Sequence, residues 1–290
     1  MRKILPLVLL LLACSVLALQ AQSARPAPIQ PDLPDLVFAD YVEPPLRLDV
    51  YIPEGEGPFP GILFIHGGGW RNGDKSPCAW AQLKQSGYVV ISIQYRLTPN
   101  MVWPANLYDC LRAVKFARAQ LPTRAKLDPD RLAVMGSSAG GHLALMTGLS
   151  DMADTGDSQV WKASNLGIKA VVSLFGPTDL RSIAQRPEIL GFFPAGTPEE
   201  QVMQGLTQAS PILWVDEADP PVLILHGTAD KVVPYQQSVD LLARLEAAKV
   251  EAKLVTYEGA GHGQLTTPGM PTPTEVIVEW LDARLKPKAD

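Results

Sequence analysis

The stretch VMGSSAGGHLAL, residues 134–145, places Ser138 between Gly136 and Gly140 where two sequence patterns meet. The residues just before it, RLAVMG at 131–136, form a short apolar run that is typical of a buried strand. The residues after the serine have apolar side chains at helical spacing. A sharp turn from strand to helix crowds the backbone, and glycine relieves the crowding because it has no Cβ atom. The stretch therefore predicts a turn that lifts the Ser138 hydroxyl clear of a sheet.

Strand and helix patterns alternate outward from this turn. The predicted strands lie at 46–52, 61–66, 88–95, 131–136, 168–176, 221–227 and 252–259, and the predicted helices at 80–87, 104–121, 234–249 and 273–286, with one more after Ser138. Continuous apolar strands joined by helices predict an α/β fold, a mostly parallel central sheet with helices on both faces. Residues 177–220 are rich in Pro and Gly, which predicts a small irregular cap.

The N-terminus has the pattern of an export signal, with basic MRK followed by the apolar run ILPLVLLLLA. This run is short for a helix that crosses a bilayer. We expect a signal peptide at 1–24, a Pro-rich linker at 25–44 and one catalytic domain at 45–290, in a secreted or periplasmic protein. LLAC at 11–14 resembles a bacterial lipobox, so a lipoprotein anchored to the membrane at Cys14 is the alternative.

Composition excludes some functions. The net charge is −5 and no basic block occurs, which argues against a nucleic-acid partner. Histidine and cysteine show no paired metal-ligand spacing, so we expect no metal and no cofactor. Cys78 and Cys110 remain after signal cleavage; they could form a disulfide, but we favour free thiols.

Ligands of parallel sheets bind beyond the carboxyl ends of the strands, so the residues that follow each strand matter most. Ser138, Asp230 and His262 each follow a different predicted strand. A serine hydroxyl is a poor nucleophile unless a base removes its proton, and a carboxylate can orient that base. The chain order Ser, Asp, His is also the order found in α/β-hydrolases. We therefore predict Ser138 as nucleophile, His262 as base and Asp230 as acid.

Other residues compete for two of these roles. His262 is the favoured base because its glycine-rich loop, EGAGHGQ, can carry a side chain back over the sheet. His66, His142 and His226 are expected to be structural. The rivals for the acid are Asp179, which could instead cap a helix that begins at Leu180, and Glu258, which would have to fold back within its own loop.

The glycine run after the strand at 61–66 predicts an oxyanion hole. Without side chains, its backbone can approach a ligand and direct N–H groups at one oxygen. The first N–H groups of the helix after Ser138 have no partner within the helix and face the same place. We predict that the amides of Gly68, Gly69 and Ala139 form the hole.

Four stretches carry a resemblance to a known family: ILFIHGGGWRNGDK, QYRLTPNMVWPANLYDCLRAVKFAR, MGSSAGGHLAL and LHGTADKVVPYQQS. Together they resemble the α/β-hydrolase-fold serine esterases over residues 45–286, and most closely the bifunctional feruloyl and acetyl xylan esterase-like branch. That branch lies near the hormone-sensitive-lipase-like carboxylesterases. The latter often carry a longer N-terminal helical cap and an Asp-Pro-Leu-type motif at the acid, whereas this chain has HGTADKVVP there. The resemblance implies the same triad, with the oxyanion hole at the glycine run.

These patterns predict an exported serine esterase for short acyl groups, acetyl or feruloyl, on a carbohydrate or similar small-molecule or polysaccharide ester. An amidase, formamidase or peptidase of the same fold is the alternative, as is a hydrolase-like binding protein without catalysis. Four aromatic residues are candidates for the substrate pocket: Trp70, Trp103, Phe192 and Phe193. They could stack on a sugar or phenolic acid, or they could pack the cap onto the sheet, and the sequence leaves both open.

Overall fold

The computed structural model describes residues 27–152 and 166–286. The expected signal peptide and the alternative lipid anchor at Cys14 lie outside the described residues. Within them, one sheet contains eight strands: β1 Leu33–Ala39, β2 Leu46–Tyr51, β3 Phe59–Ile65, β4 Val89–Ile93, β5 Leu127–Ser137, β6 Ile168–Leu174, β7 Val222–Gly227 and β8 Ala252–Tyr257.

The sheet is mostly parallel, as the apolar strands predict. Its strand order is β1-β2-β4-β3-β5-β6-β7-β8. Strands β3 to β8 run parallel to one another, and β2 pairs antiparallel with both β1 and β4. Because the carboxyl ends of β3, β5, β7 and β8 meet at one edge of the sheet, the loops after them can build a single site.

Helices cover both faces of the sheet. They are α1 Ala105–Ala125, α2 Ala139–Leu149, α3 Pro187–Leu190, α4 Glu199–Gln208, α5 Gln236–Ala247 and α6 Pro273–Leu285, with 3₁₀ turns at Ala81–Ser86, Leu180–Ile183 and Pro211–Leu213. One hydrophobic core lies between the sheet and α1, α2 and α5, and a second lies between the sheet, the first 3₁₀ turn and α6. This architecture is the α/β-hydrolase fold.

The structure differs from the sequence prediction at the N-terminal edge. Residues 33–39, inside the stretch expected to be a linker, form β1 and pair with β2. The Asp35 amide donates to the Asp49 carboxylate at 2.9 Å, and the Lys75 ammonium lies 2.9 Å from Asp35 and 2.8 Å from Asp49. These partners come from distant positions in the chain, so the local pattern did not reveal the strand.

Two further elements extend beyond the prediction. Helix α1 continues through Pro122 to Ala125. Burial of Leu121 and Ala125 in the core stabilises this last turn by more than the loss of the hydrogen bond that proline cannot donate. The cap at 177–220 is less irregular than expected, since it contains α3, α4 and two 3₁₀ turns. Its longest helix, α4, buries Leu206 against the core.

In residues 27–152 and 166–286, none of the helices is long and apolar enough to cross a membrane. Cys78 and Cys110 are free thiols, as we expected. Cys110 lies inside the first core, and this burial raises the pKa of its thiol. It is therefore protonated at neutral pH and acts as a small apolar side chain.

Candidate active site

The turn between β5 and α2 holds Ser138 in an unusual backbone conformation, with φ 54° and ψ −119°. A positive φ is strained for a residue with a side chain and persists only where the surroundings enforce it. A Cβ atom on Gly136 would lie 2.0 Å from the carbonyl oxygen of Gly140, and one on Gly140 would lie 2.0 Å from that of Ile65. Both positions therefore require glycine. The Ser138 amide donates to the Leu174 carbonyl at 2.8 Å, which anchors the turn to β6.

The structure brings Ser138, Asp230 and His262 together from the loops after β5, β7 and β8. His262 Nε2 lies 3.0 Å from Ser138 Oγ, and His262 Nδ1 lies 2.7 Å from Asp230 Oδ2. An ionised carboxylate only accepts hydrogen bonds, so Nδ1 carries the hydrogen and Nε2 presents its lone pair to the serine hydroxyl. This tautomer is the one that can remove the serine proton.

Asp230 is a buried, fully hydrogen-bonded carboxylate. Its side chain is 0% exposed, whereas that of His262 is 22% exposed. The amides of Val232 and Val233 donate to Oδ1 at 2.7 and 2.9 Å, and Oδ2 faces His262. Burial alone would raise the pKa of Asp230, but the hydrogen bonds from His262 and from these two amides outweigh it and lower that pKa. The carboxylate is therefore charged at neutral pH.

The glycine run after β3 forms a tight turn beside the serine. Gly68 has φ 112° and Gly69 has φ 61°, and the Gly68 carbonyl accepts from the amides of Arg71 and Asn72. Ala139 is the first residue of α2. Among the described residues, no backbone carbonyl accepts a hydrogen bond from the amides of Gly68, Gly69 or Ala139. These three donors are available for an oxygen of a bound substrate.

The rival residues make other contacts. His66 Nδ1 lies 2.7 Å from the Gly67 carbonyl oxygen, and its ring stacks on a buried tyrosine. Asp179 accepts from the Arg181 amide at the start of a 3₁₀ turn, as the capping interpretation predicts. Glu258 is exposed. Nothing in the described part of the chain connects these three side chains to Ser138 by hydrogen bonds.

A cavity of about 640 Å³ opens beside the serine. Ser138 and His262 line it together with apolar side chains of the cap and of the loop after β7, and with polar or charged side chains at positions 71, 72, 186 and 188. Gly68 and Gly69 lie in its wall. The cavity therefore combines the reactive hydroxyl, the free amides and a partly charged surface.

The aromatic candidates divide between the two roles that the sequence left open. Trp70 lines the cavity, but Trp103, Phe192 and Phe193 do not. Phe192 is fully buried and stacks on Trp103, with ring centroids 5.6 Å apart. Phe193 is half-buried against the same core. Burying these apolar rings stabilises the cap on the sheet, so three of the four serve packing rather than the pocket.

Sequence reasoning missed several residues of this site. Arg71, Arg186 and Glu188 lie in exposed or irregular segments with no pattern to single them out, and only the fold brings them to the cavity. Phe175 follows β6 directly, but the predicted strand at 168–176 included it, so the residues expected after the strand did not contain it. Its φ is 43°, and its ring packs edge-on against His262 at 4.7 Å between centroids.

His142 is structural, as expected, and joins the cavity wall to the cap. The Trp70 indole donates to Nδ1 at 3.2 Å, so Nε2 carries the hydrogen and donates to the Ala209 carbonyl at 2.7 Å. The side chain is fully buried, and this burial lowers the pKa of His142 to about 4.

The buried His142 should make folding pH-dependent. Between pH 6.5 and 4 the unfolded chain binds a proton at this position that the folded chain does not, so the free energy of unfolding falls as the pH falls. The loss is about 3 kcal/mol at most. In His142→Gln this loss disappears, so the variant's unfolding free energy should decline less steeply over that range. Urea titrations at pH 4, 5, 6 and 7 measure the difference, and parallel curves for the two proteins would contradict it.

Comparison with known proteins finds that the chain is similar to esterases. The family model BD-FAE matches residues 48–245, and a model described as TAP-like protein matches 201–290. Esterase LipC of Mycobacterium tuberculosis is 32% identical over 217 residues, 71% of this chain and 53% of LipC. The probable isoprenylcysteine alpha-carbonyl methylesterase ICMEL1 of Arabidopsis thaliana is 30% identical over 250 residues, 79% of this chain and 50% of that protein. The chain thus spans about half the length of the curated relatives it matches.

Solved structures share the fold. A truncated carbohydrate esterase from gut microbiota superposes with a TM-score of 0.72 at 26% identity, over 86% of this chain and 94% of that chain. An acetyl ester-xyloside bifunctional hydrolase from Caldicellulosiruptor lactoaceticus has a TM-score of 0.70 at 22% identity, over 88% of this chain and 97% of that one. At that identity the second similarity bears on the fold alone.

Proposed function

Because the chain belongs to the BD-FAE family and has the α/β-hydrolase fold, we propose that it is a serine esterase that hydrolyses short-chain carboxylic esters, acetyl or feruloyl, on carbohydrates. The observation that carries this proposal is the hydrogen-bonded chain from Ser138 through His262 to Asp230 at the floor of an open cavity. The esterases named among its relatives and structural neighbours support the same reaction class.

In the acylation step, Ser138 Oγ attacks the ester carbonyl carbon while His262 Nε2 takes the hydroxyl proton. The carbonyl π electrons move onto oxygen, and the amides of Gly68, Gly69 and Ala139 stabilise the negative charge. When the tetrahedral intermediate collapses, the alcohol leaves with the proton held by His262. Asp230 keeps the His262 tautomer and stabilises the imidazolium without taking the proton.

Deacylation repeats these steps with water. His262 removes a proton from a water molecule, which attacks the acyl carbon on Ser138. The same three amides receive the second oxyanion. Collapse then releases the carboxylic acid, and Ser138 Oγ recovers its proton from His262. The net reaction is ester plus water to acid plus alcohol.

The two kinds of surface in the cavity suit the two halves of such a substrate. Apolar side chains in its wall, Ile183, Ile189, Val232 and Val233, suit a short acyl chain. The charged and amide groups, Arg71, Asn72, Arg186 and Glu188, can pair with the hydroxyl groups of a carbohydrate alcohol. The Arg186 guanidinium donates to the Val232 carbonyl, which holds it at the wall.

Activity should therefore depend strongly on acyl length. We expect kcat/KM to be highest for acetyl and to fall steeply beyond about four acyl carbons, because a longer chain has to displace water from the charged side chains of the cavity. The measurement compares p-nitrophenyl esters from acetyl to dodecanoyl, with acetylated xylan and methyl ferulate as carbohydrate-linked and phenolic substrates.

Three outcomes would contradict this proposal. Preference for dodecanoyl over acetyl esters would indicate a lipase. Faster hydrolysis of an N-formyl aryl amide than of acetyl esters would indicate a formamidase. Absence of turnover on all of these compounds, together with failure to react with a fluorophosphonate, would point to a binding protein instead.

Export is part of the same proposal and rests on the sequence alone. The basic and apolar residues at the N-terminus support a secreted or periplasmic enzyme, and LLAC at 11–14 keeps the lipoprotein form as the alternative. Acetylated and feruloylated polysaccharides are extracellular polymers, so an exported esterase would meet them directly.

A further inference from the structure

Asp230 is held by a second histidine on its buried side. His226 is the fifth residue of β7, and its side chain is fully buried. Its Nε2 lies 3.1 Å from Asp230 Oδ2 and 3.1 Å from the Val233 carbonyl oxygen. Its Nδ1 lies 2.6 Å from the hydroxyl of Ser238, a buried residue on α5.

These contacts settle which nitrogen of His226 carries the hydrogen. Both neighbours of Nε2, a carboxylate and a carbonyl, only accept hydrogen bonds, so Nε2 donates. Nδ1 then accepts from the Ser238 hydroxyl. Burial lowers the pKa of His226, and it is therefore the neutral ring that donates to Asp230 at neutral pH.

The result is a mirrored pair of hydrogen-bond chains that share one carboxylate oxygen. On the open side, Ser138 donates to His262, which donates to Asp230 Oδ2. On the buried side, Ser238 donates to His226, which donates to the same atom. Ser238 is fully buried, so the second chain cannot meet substrate, although it has the same residue types in the same order.

We propose that His226, oriented by Ser238, is a positioning residue for the acid of the triad: it holds Asp230 Oδ2 toward His262 and stabilises its charge. The inference rests on the proposed esterase function. Oδ1 is already fixed by the amides of Val232 and Val233. With His226 in place, both oxygens are held, and a carboxylate bound at both oxygens cannot rotate away from the base.

Removing the His226 donor has a defined consequence for pH dependence. Without the His226 hydrogen bond the Asp230 carboxylate is a less stabilised anion, so it attracts the positive charge of protonated His262 more strongly. Protonated His262 cannot act as base, and the acidic limb of the kcat/KM profile should move to higher pH. The other polar groups near His226 and Asp230 do not supply this hydrogen bond. Tyr235, which meets His226 edge-on, bonds to Thr256, and the Arg186 guanidinium bonds to the Val232 carbonyl.

The test compares three substitutions in the full chain. His226→Leu removes the donor, Ser238→Ala removes only the hydroxyl that orients it, and His226→Gln keeps an N–H group near the same place. Ser92→Ala is the matched control. Ser92 lies on β4, away from the site, and is as buried as Ser238. Its hydroxyl donates to the Lys75 carbonyl at 2.7 Å. The readouts are kcat/KM for p-nitrophenyl acetate from pH 4 to 9 and the rate of fluorophosphonate labelling, with folding followed by circular dichroism.

For His226→Leu we expect kcat/KM at pH 7 to fall about 10- to 100-fold, since a hydrogen bond to a charged group is lost. The midpoint of its acidic limb should rise by about half a pH unit or more. Ser238→Ala should shift the midpoint in the same direction by less. His226→Gln should restore most of the activity and the wild-type midpoint, and Ser92→Ala should match the wild type in both readouts.

An unchanged midpoint in both His226→Leu and Ser238→Ala would overturn the inference, because a purely structural role lowers activity equally at every pH. If His226→Leu does not fold, the midpoint of Ser238→Ala decides alone. The wild type separates this inference from the proposed function. A wild type that hydrolyses no ester contradicts the function, whereas an active wild type with unshifted variants contradicts only the role of His226.

Discussion

Replacing Ser138 with alanine should leave the fold intact and lower kcat/KM for p-nitrophenyl acetate by at least about 10³-fold. The substitution keeps the Cβ atom and removes only Oγ, so the anchored turn and its positive φ remain as they are. It removes the atom that would form the acyl-enzyme, so any remaining hydrolysis needs direct attack by water while the oxyanion donors stabilise the carbonyl oxygen. Of the substitutions proposed for this site, only Asp230→Asn should lower activity by a comparable factor.

Ser137→Ala is the matched control, since Ser137 lies next in the chain and makes no hydrogen bond to His262. It should keep activity within a few-fold of the wild type. Intact-mass and peptide spectra after fluorophosphonate treatment should show one adduct, on Ser138. An adduct on Ser137, or wild-type turnover by Ser138→Ala, would exclude Ser138 as the nucleophile.

Replacing Asp230 with asparagine should cost about 10⁴-fold in kcat. The amides of Val232 and Val233 both donate to Oδ1, so the asparagine oxygen has to take that place. The asparagine NH₂ group then faces His262 Nδ1, which must accept instead of donate. His262 would carry its hydrogen on Nε2, toward Ser138, and could no longer remove the serine proton.

Asp179→Asn is the matched control for this substitution. Asp179 lies in the loop after β6, and it bonds to Arg181 rather than to a histidine. It should keep most of the wild-type kcat. NMR of the His262 ring in Asp230→Asn should show the hydrogen on Nε2. If Asp230→Asn stays active, or if Asp179→Asn is the inactive variant, the assignment of the acid is wrong.

Much of this site could be predicted from local patterns. The glycines around Ser138 predict a sharp turn, because such a turn excludes side chains at particular positions. The structure confirms this crowding, since a Cβ atom on Gly136 or Gly140 would clash with a backbone carbonyl oxygen. Asp230 and His262 were found because parallel strands bring the residues after them to one edge. His142 and Asp179 have the structural contacts that their positions suggested, whereas His226 also donates to Asp230.

The remaining features depend on contacts between distant parts of the chain. Strand β1 pairs with β2, and its Asp35 contacts Asp49 and Lys75. Of the four aromatic candidates, only Trp70 lines the cavity, because Phe192 of the cap and Trp103 stack on each other in the core. Residue type alone could not separate a ring that binds substrate from a ring that packs, since both are apolar surfaces that avoid water.

Local residue patterns predict the alternation of strands and helices, the strained serine turn and the chain order of Ser138, Asp230 and His262, because each pattern lies within a short segment. Three features arise only in the folded chain: the two donors on each Asp230 oxygen, the buried Ser238–His226 chain and the charged wall of the cavity. The groups in these features come from different segments and approach one another only after the sheet has formed. No single segment therefore determines whether they lie within hydrogen-bond distance.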